Sequence, residues 1–325
     1  MQILGCQISK ISPRMNPKIS LVVPMYGVES YIERCLQSIY ANPEAKDCIE
    51  LILIDDGSPD KSSQIAQRWI TSNSITNARI ISQENRGLGG ARNTGLRNAK
   101  SPWIWFIDSD DEILPDALNN ILKRLDTSLD FIAFNYLLLP EIQLGFNVSE
   151  PIECVPVEVV ARNFIINSPC FNVYKTNFLR SNELWFREKF LHEDNEMAIR
   201  VLSYAKDISF YPIVIYKYYL SNASSITNTP VTQKKINDLL EHFKTYTSLC
   251  REITNRKKKI AIQQINQIPI YWLFKYEEIS KGILKNYINK SIIQKRREIL
   301  RSISLLSWKY RLGVWLKIKL LYLKK

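Results

Sequence analysis

The sequence predicts an α/β protein with a mostly parallel sheet flanked by helices, and three observations carry that expectation. The first half of the chain alternates β-branched apolar runs with segments of helical periodicity. The strand-like runs are almost continuously apolar, as in a sheet covered on both faces. Carboxylates, glycines and arginines collect just after several of these runs, where such sheets bind ligands.

Each element has its own signal. ISLVVPMY (Ile19 to Tyr26) is a first strand, and ESYIERCLQSIYA is a helix with apolar residues at 32, 35, 36 and 39. IELILIDD (Ile49 to Asp56) is a second strand, followed by a helix from about Ser58 to Ile70. ARIIS is a third strand, LGGARNTGLRNA a helix with a glycine-rich start, and SPWIWFID a fourth strand. LPDALNNILKRL is a helix with proline near its first turn, and DFIAFNYLLL a fifth strand. From about Asn147 to Tyr219 short strands and loops surround one helix, His192 to Ala205; from Val231 the pattern is helical, broken at Pro269 and Gly282.

At 325 residues and 46% hydrophobic, the chain can bury a large core, as one domain or one domain with an appendage. The six cysteines are scattered without a CxxC pair, which argues against a zinc ribbon or disulfide framework and suits a reducing compartment. MQILGCQISKISPRMNPK lacks the charged and apolar regions of a secretory signal. No run approaches the roughly 18 apolar residues of a spanning helix. The expected location is cytoplasmic, with at most a peripheral position on the inner membrane face.

Charge is distributed unevenly. Residues 231–325 hold 22 basic against 6 acidic side chains, whereas residues 1–230 hold 22 against 26. That contrast predicts a mildly acidic body and a basic tail attractive to phosphate or anionic lipid.

Four clusters have chemical potential. IDDGSPD places Asp55 and Asp56 at a strand end, able to accept from a base or ribose hydroxyls, or simply to cap a helix. ENRGLGGARNTG fails the dinucleotide fingerprint at Arg92; it offers a glycine-rich turn, a helix N-terminus, Arg86 and Arg92 to an anion. In FIDSDDEI, period-two alternation sends Asp108 and Asp110 to one side and turns Asp111 and Glu112 away. Magnesium or manganese, which favours one or two carboxylates plus substrate phosphates and water, suits that open strand end. LHEDNEMAIRVL puts His192, Glu193, Asp194 and Glu196 at a helix start, where the macrodipole alone favours acids and where a general base could stand. The two histidines have no recognisable nucleophile partner, so a lone carboxylate suits this inventory better than a serine or cysteine scheme.

The ordered set ISLVVPMY, ESYIERCLQSI, LILIDDGSPD, ENRGLGGARNTGL, WIWFIDSDDEI and LHEDNEMAIRVL resembles family 2 of the inverting glycosyltransferases, which have the GT-A fold. It is similar to bacterial members that build capsule, O-antigen and exopolysaccharide, over about residues 18 to 225. The resemblance implies that Pro24, Tyr26 and Glu29 line the nucleotide pocket, that Asp56 or Asp55 reads the base, and that Arg86 and Arg92 lie near the diphosphate or sugar. Asp108 and Asp110 match the DxD motif, Asp110 as the foremost Mn2+ or Mg2+ contact, with Asp111 beside the donor sugar. Asp194 matches the base of the ED motif, ahead of Glu193. The implied reaction is a single displacement from a nucleotide-diphosphate sugar, UDP by family frequency, to a hydroxyl of a glycan or lipid-linked acceptor.

Two departures stand out: Gly27 replaces a polar residue, and Cys170 or Phe171 stands where many relatives carry tryptophan. The implied organisation is an N-terminal lead (1–17), a catalytic domain (18–228; nucleotide half about 18–112, acceptor half about 113–228) and a basic helical region (229–325).

In LLSWKYRLGVWLKIKLLYLKK a helical stripe joins Leu305, Trp308, Leu312, Trp315, Leu316, Leu320 and Leu323, with Lys309, Arg311, Lys317 and Lys324 mostly off it. It suits an interfacial helix on an anionic leaflet, or packing on the catalytic domain or a second copy of the chain. The rival classes are a metal-dependent nucleotidyltransferase, whose glycine-rich lysine arm is missing from ISLVVPMYGVE, and a nucleic-acid binder acting through the basic tail. Nucleic acid is not the expected partner, because the acidic cluster repels phosphate in the absence of a cation.

Overall fold

The computed structural model describes residues 16–42, 47–140, 143–145, 149–156, 168–220, 230–265, 267–302, 304 and 308–323. Most of the N-terminal lead, Leu305 and Lys324 lie outside the described residues.

The first half alternates as expected: β1 (Ile19–Met25), α1 (Ile32–Tyr40), β2 (Ile49–Asp55), α2 (Ser62–Ser72), β3 (Ala78–Ser82), α3 (Gly87–Asn98), β4 (Trp103–Phe106), β5 (Glu112–Ile113), α4 (Ala117–Leu122) and β6 (Phe131–Leu139). There follow β7 (Gln143–Leu144), β8 (Ile152–Pro156), β9 (Asn172–Lys175), α5 (Thr176–Ser181), α6 (Glu193–Tyr204) and β10 (Asp207–Tyr219). Five further helices complete the described chain: α7 (Gln233–Glu252), α8 (Arg256–Ile265), α9 (Gln267–Ile279), α10 (Gly282–Arg301) and α11 (Trp308–Leu323). Pro269 does not break α9, because it stands in the first turn, where a missing N–H costs no helical bond. Gly282 opens α10 with φ of 57°, so here the glycine does mark a break.

The sheet runs β3-β2-β1-β4-β9-β6-β10-β5, with β7 on β6 and β8 on β10. Its first four strands are parallel, as their βα connections require. The other half is mixed: β9 is antiparallel to both β4 and β6, and β10 is parallel to β6 but antiparallel to β5 and β8. Several of these antiparallel strands are too short to show a periodicity in the sequence.

Alternation along β1 feeds two cores. Ile19, Leu21, Val23 and Met25 join α1, α2 and α4 on one face, and Val22 joins α3 and α6 on the other. At about 25 cal/mol per Å² of apolar surface removed from water, this two-sided burial is what holds the strand ends in place. The C-terminal helices build a third core around Leu239, Phe243, Leu273, Ile292 and Ile318, while Tyr246 and Ile262 join the sheet's core.

In α11 the structure divides the apolar residues in an unexpected way. Val314, Ile318 and Leu321 are buried, and Leu312, Trp315, Leu316 and Leu320 of the sequence stripe face outward. These four stripe residues therefore form an outward face, and the helix is apolar on both sides. No described helix is long and apolar enough to cross a membrane.

Candidate active site

The carboxyl ends of β1, β2 and β4 meet the first turns of α3 and α6 around a single cleft. Parallel strands deliver their ends to one edge, so the loops after them face a common space. That space is about 670 Å³, and its lining includes Tyr26, Asp56, Arg92, Asp108, Asp110 and Asp194.

Tyr26 follows β1 and is 54% exposed at the cleft. Next to it Gly27 has φ of 66°, a region glycine enters without steric cost, so the departure from a polar residue answers a backbone need. Asp56 is buried beyond β2, its Oδ1 accepting from Gln83 Nε2 at 2.6 Å and the Arg86 N–H at 2.9 Å.

The acidic run is sorted by a turn. Strand β4 ends at Phe106, and the Asp111 N–H donates to the Asp108 carbonyl at 3.1 Å. Asp108 and Asp110 both line the cleft, but this turn puts them there rather than strand alternation. Arg34 Nη2 steadies it by donating to the Asp110 carbonyl at 2.6 Å. Asp111 points into the protein and is 1% exposed; it accepts from the Tyr216 hydroxyl and the Tyr219 N–H, both at 2.9 Å. Burial, then the neighbouring Asp110 and Asp108, push its pKa well above the ordinary carboxylate value. Glu112 pairs with Arg34 at 3.0 Å and Lys217 at 3.2 Å, tying the run to β10.

Arg92 is the hub of the cleft. It is 2% exposed and donates to Asp108 Oδ1 at 2.7 Å and to Glu193 Oε1 at 2.6 Å. Burial works against its charge, but Asp108 and Glu193 outweigh it and hold its pKa above the ordinary value. The glycines just before it allow the approach: a side chain at Gly89 would run into the Arg187 carbonyl. Close packing of α3 against residues 186–189 thus accounts for part of the glycine-rich stretch that sequence offered to an anion.

Two acids open α6. Burial lifts Glu193 to about 7 against the pull of Arg92, with Asp194 adding to the rise. Burial also raises Asp194, opposed by His192 and Arg92. Asp194 accepts from the Asn195 N–H at 2.8 Å and takes no salt bridge among the described residues. His192 precedes them with φ of 61°, its pKa lowered by burial, and its ring lies 5.8 Å from that of Trp272 in α9.

Of the residues expected here, Pro24, Tyr26, Asp56, Arg92, Asp108, Asp110, Glu193 and Asp194 line the cleft. Four of the expected residues stand outside this lining. Glu29 accepts from the Lys61 N–H at 3.0 Å, in a link between the loops after β1 and β2. Asp55 caps a turn by accepting from the Ser58 N–H at 2.9 Å. Arg86 is held outside by Glu188 at 2.6 Å, and Asp111 is turned into the protein. Sequence reasoning missed the aromatic wall of Tyr136, Phe171, Tyr218 and Tyr219. The KYYL run and Phe171 were its only local signs, since β6, β10 and the Pro169–Phe171 turn meet only through the fold.

Among the described residues no group of three or more His, Cys, Asp or Glu side chains is arranged to hold a metal ion. Magnesium or manganese needs fewer when substrate phosphates and water complete its shell. Asp110 and the Asp108 oxygen turned from Arg92 fit that requirement at the open cleft.

The chain is similar to several known proteins. Residues 20–138 match the family described as Glycosyl transferase family 2, from β1 into β6. The chain carries a glycosyltransferase family 2 domain. EpsH of Bacillus subtilis is 30% identical over 225 residues, which are 65% of this chain and 63% of EpsH. A Campylobacter jejuni relative named GalNAc(5)-diNAcBac-PP-undecaprenol beta-1,3-glucosyltransferase is 27% identical over 206 residues, 62% of this chain and 64% of that one. The chain thus spans less than two thirds of either relative. The solved structure of S. aureus TarS 1-349 in complex with UDP-GlcNAc superposes with a TM-score of 0.78 at 19% identity, covering 94% of this chain and 89% of that one. The fold shared with that structure is of the GT-A type, and the superposition extends from the sheet into the C-terminal helices.

Proposed function

We propose that the protein is an inverting glycosyltransferase moving a sugar from a nucleotide-diphosphate sugar to a hydroxyl of a glycan or lipid-linked acceptor in bacterial surface polysaccharide synthesis. One observation carries the reading: Asp194 lines the cleft at the start of α6 with no salt bridge among the described residues, while its neighbours Asp108 and Glu193 are both held by Arg92. Asp194 takes the proton of the acceptor hydroxyl. The acceptor oxygen then bonds to the anomeric carbon as its bond to the diphosphate oxygen breaks, and the nucleoside diphosphate leaves with that electron pair. Glu193 keeps Arg92 oriented rather than acting as base.

Pro24, Tyr26 and Asp56 hold the nucleoside. Arg92 supplies fixed positive charge near the diphosphate. A manganese or magnesium ion held by Asp110 and Asp108 would neutralise charge on the departing diphosphate. A UDP-sugar donor is supported by the fold shared with a UDP-GlcNAc complex, and a lipid-linked acceptor by the name of the Campylobacter relative. The reading assigns residues 18–228 to catalysis and 229–325 to a basic region whose α11 lies on the inner membrane face. The outward Leu312, Trp315, Leu316 and Leu320 beside an excess of lysines support that placement.

A thermal-shift panel of nucleotide sugars with and without manganese tests the core of this reading. UDP-sugar and metal together are expected to stabilise the protein more than either alone. Asp110→Ala should abolish the metal's share, and an unchanged response would sink the metal assignment.

A further inference from the structure

Helices α9 and α11 enclose a groove of about 530 Å³. Ile270, Phe274 and Val314, all nearly buried, form its floor. Lys275, Lys309 and Lys317 are exposed along its rim, with Glu278 the single acid in the lining. Lys317 Nζ lies 5.1 Å from the Phe274 ring centre, and Lys275 Nζ lies 4.7 Å from that of Trp272. These ammonium groups are thus held at the edge of an apolar trough rather than spread in solvent. Trp272 in turn lies beside His192, its ring tilted by 33° at 5.8 Å, and His192 lines the catalytic cleft. A single helix, α9, therefore joins the groove to the cleft wall.

We infer that this groove seats the phosphate-bearing lipid end of the acceptor, its apolar chain on the floor and its phosphates on the rim lysines. An apolar chain alone would offer no anion to Lys275 and Lys317 at the rim, and free phosphate would leave the floor empty. A chain ending in phosphate satisfies both, and the 22 to 6 excess of basic side chains in residues 231–325 draws it there. The inference rests on the acceptor reading above and adds which part of the molecule holds the end not being glycosylated.

Gly313 offers a clean test. It lines the groove, and nothing lies within 4 Å of where a Cβ would stand. Phenylalanine there fills the groove without a clash at Cβ, and replacing a helical glycine does not lower helix propensity. Binding of decyl phosphate, below its micelle-forming concentration, is measured by calorimetry on the full chain, alongside decyl maltoside, inorganic phosphate and anionic phospholipid vesicles. Decyl phosphate is expected to bind, with Gly313→Phe and the double change Lys275→Ala/Lys317→Ala each weakening it ~10-fold while the unfolding temperature holds. Unchanged binding by folded Gly313→Phe overturns the inference. So does inorganic phosphate or decyl maltoside binding as well as decyl phosphate, or binding to vesicles alone. Asp194→Asn should bind decyl phosphate like the native chain. If the native chain binds decyl phosphate but no nucleotide sugar, the transferase reading fails and the groove stands; the reverse result spares the transferase reading and removes the groove.

Discussion

The cleft at the sheet edge and the groove among the C-terminal helices handle charge in opposite ways. In the cleft, Arg92 and Glu193 are withdrawn from water and Asp108 partly so, and Arg92 binds both acids at 2.6 to 2.7 Å. In the groove, exposed lysines stand at the rim of a nearly buried apolar floor, and outward-facing Leu312, Trp315, Leu316 and Leu320 lie on α11. Buried charge is expensive, so it persists only where partners fix its geometry, as chemistry on a reacting bond requires. Exposed charge beside exposed apolar surface costs little and specifies little, as suits holding a variable, amphiphilic partner.

Changes at the two places should therefore differ in kind. Asp194→Asn is expected to lower turnover ~10² to 10⁴-fold, the usual worth of a general base, while nucleotide-sugar binding persists. Steady-state rates alongside donor titration check it, and comparable turnover in the variant would move the base elsewhere. In the native enzyme the acid limb of the rate profile should lie above the ordinary carboxylate range, since burial raises Asp194 and the base acts only when deprotonated.

Arg92→Met strikes the buried network itself. It leaves Glu193 and part of Asp108 uncompensated and should cost ~3 to 5 kcal/mol in urea unfolding. Lysine at 92 should recover part of that loss without the two-pronged geometry. Equal stability of the methionine variant would mean that the hub is not what holds the cleft.

On the helical side, serine at Trp315, Leu316 and Leu320 should each change stability by less than ~0.5 kcal/mol, since these residues face outward. Together they should reduce co-sedimentation with anionic vesicles. A large fall in stability would instead reveal a packed face.

The smallest effect concerns Asp111. Its folded pKa is raised, so its contribution to stability is complete below the ordinary carboxylate pKa and is lost as pH rises through the folded value. Asparagine at 111 removes that titration. The unfolding temperature of the native chain should fall more than that of Asp111→Asn as pH rises above the ordinary carboxylate range, and parallel curves would show that Asp111 does not titrate with folding.

Much of the nucleotide side was legible because its signals are local. Apolar runs of strand length, each followed by a helical period, determine a parallel α/β half, and a parallel sheet gathers its strand ends at one edge. Asp55, Asp56, Asp108 and Asp110 could be marked on that ground, and only the resemblance put Asp56 ahead of Asp55. Arg92 could be noted but not understood: its partners Asp108 and Glu193 are 16 and 101 positions away in the chain. Asp111 shows the limit most clearly, since one turn separates it from Asp110 and only Tyr216 and Tyr219 of β10 reveal that it faces inward.

The sequence by itself determined the order of elements, the residue types at each strand end and the basic character of the C-terminal third, because these follow from side-chain periodicity and composition. Only the tertiary structure decided which carboxylates face the cleft, that one buried guanidinium joins the acidic run to the start of α6, and that the apolar stripe of α11 is left uncovered. Those outcomes depend on contacts between residues far apart in the chain, and the free energy of each contact exists only once the sheet and helices have brought its two halves together.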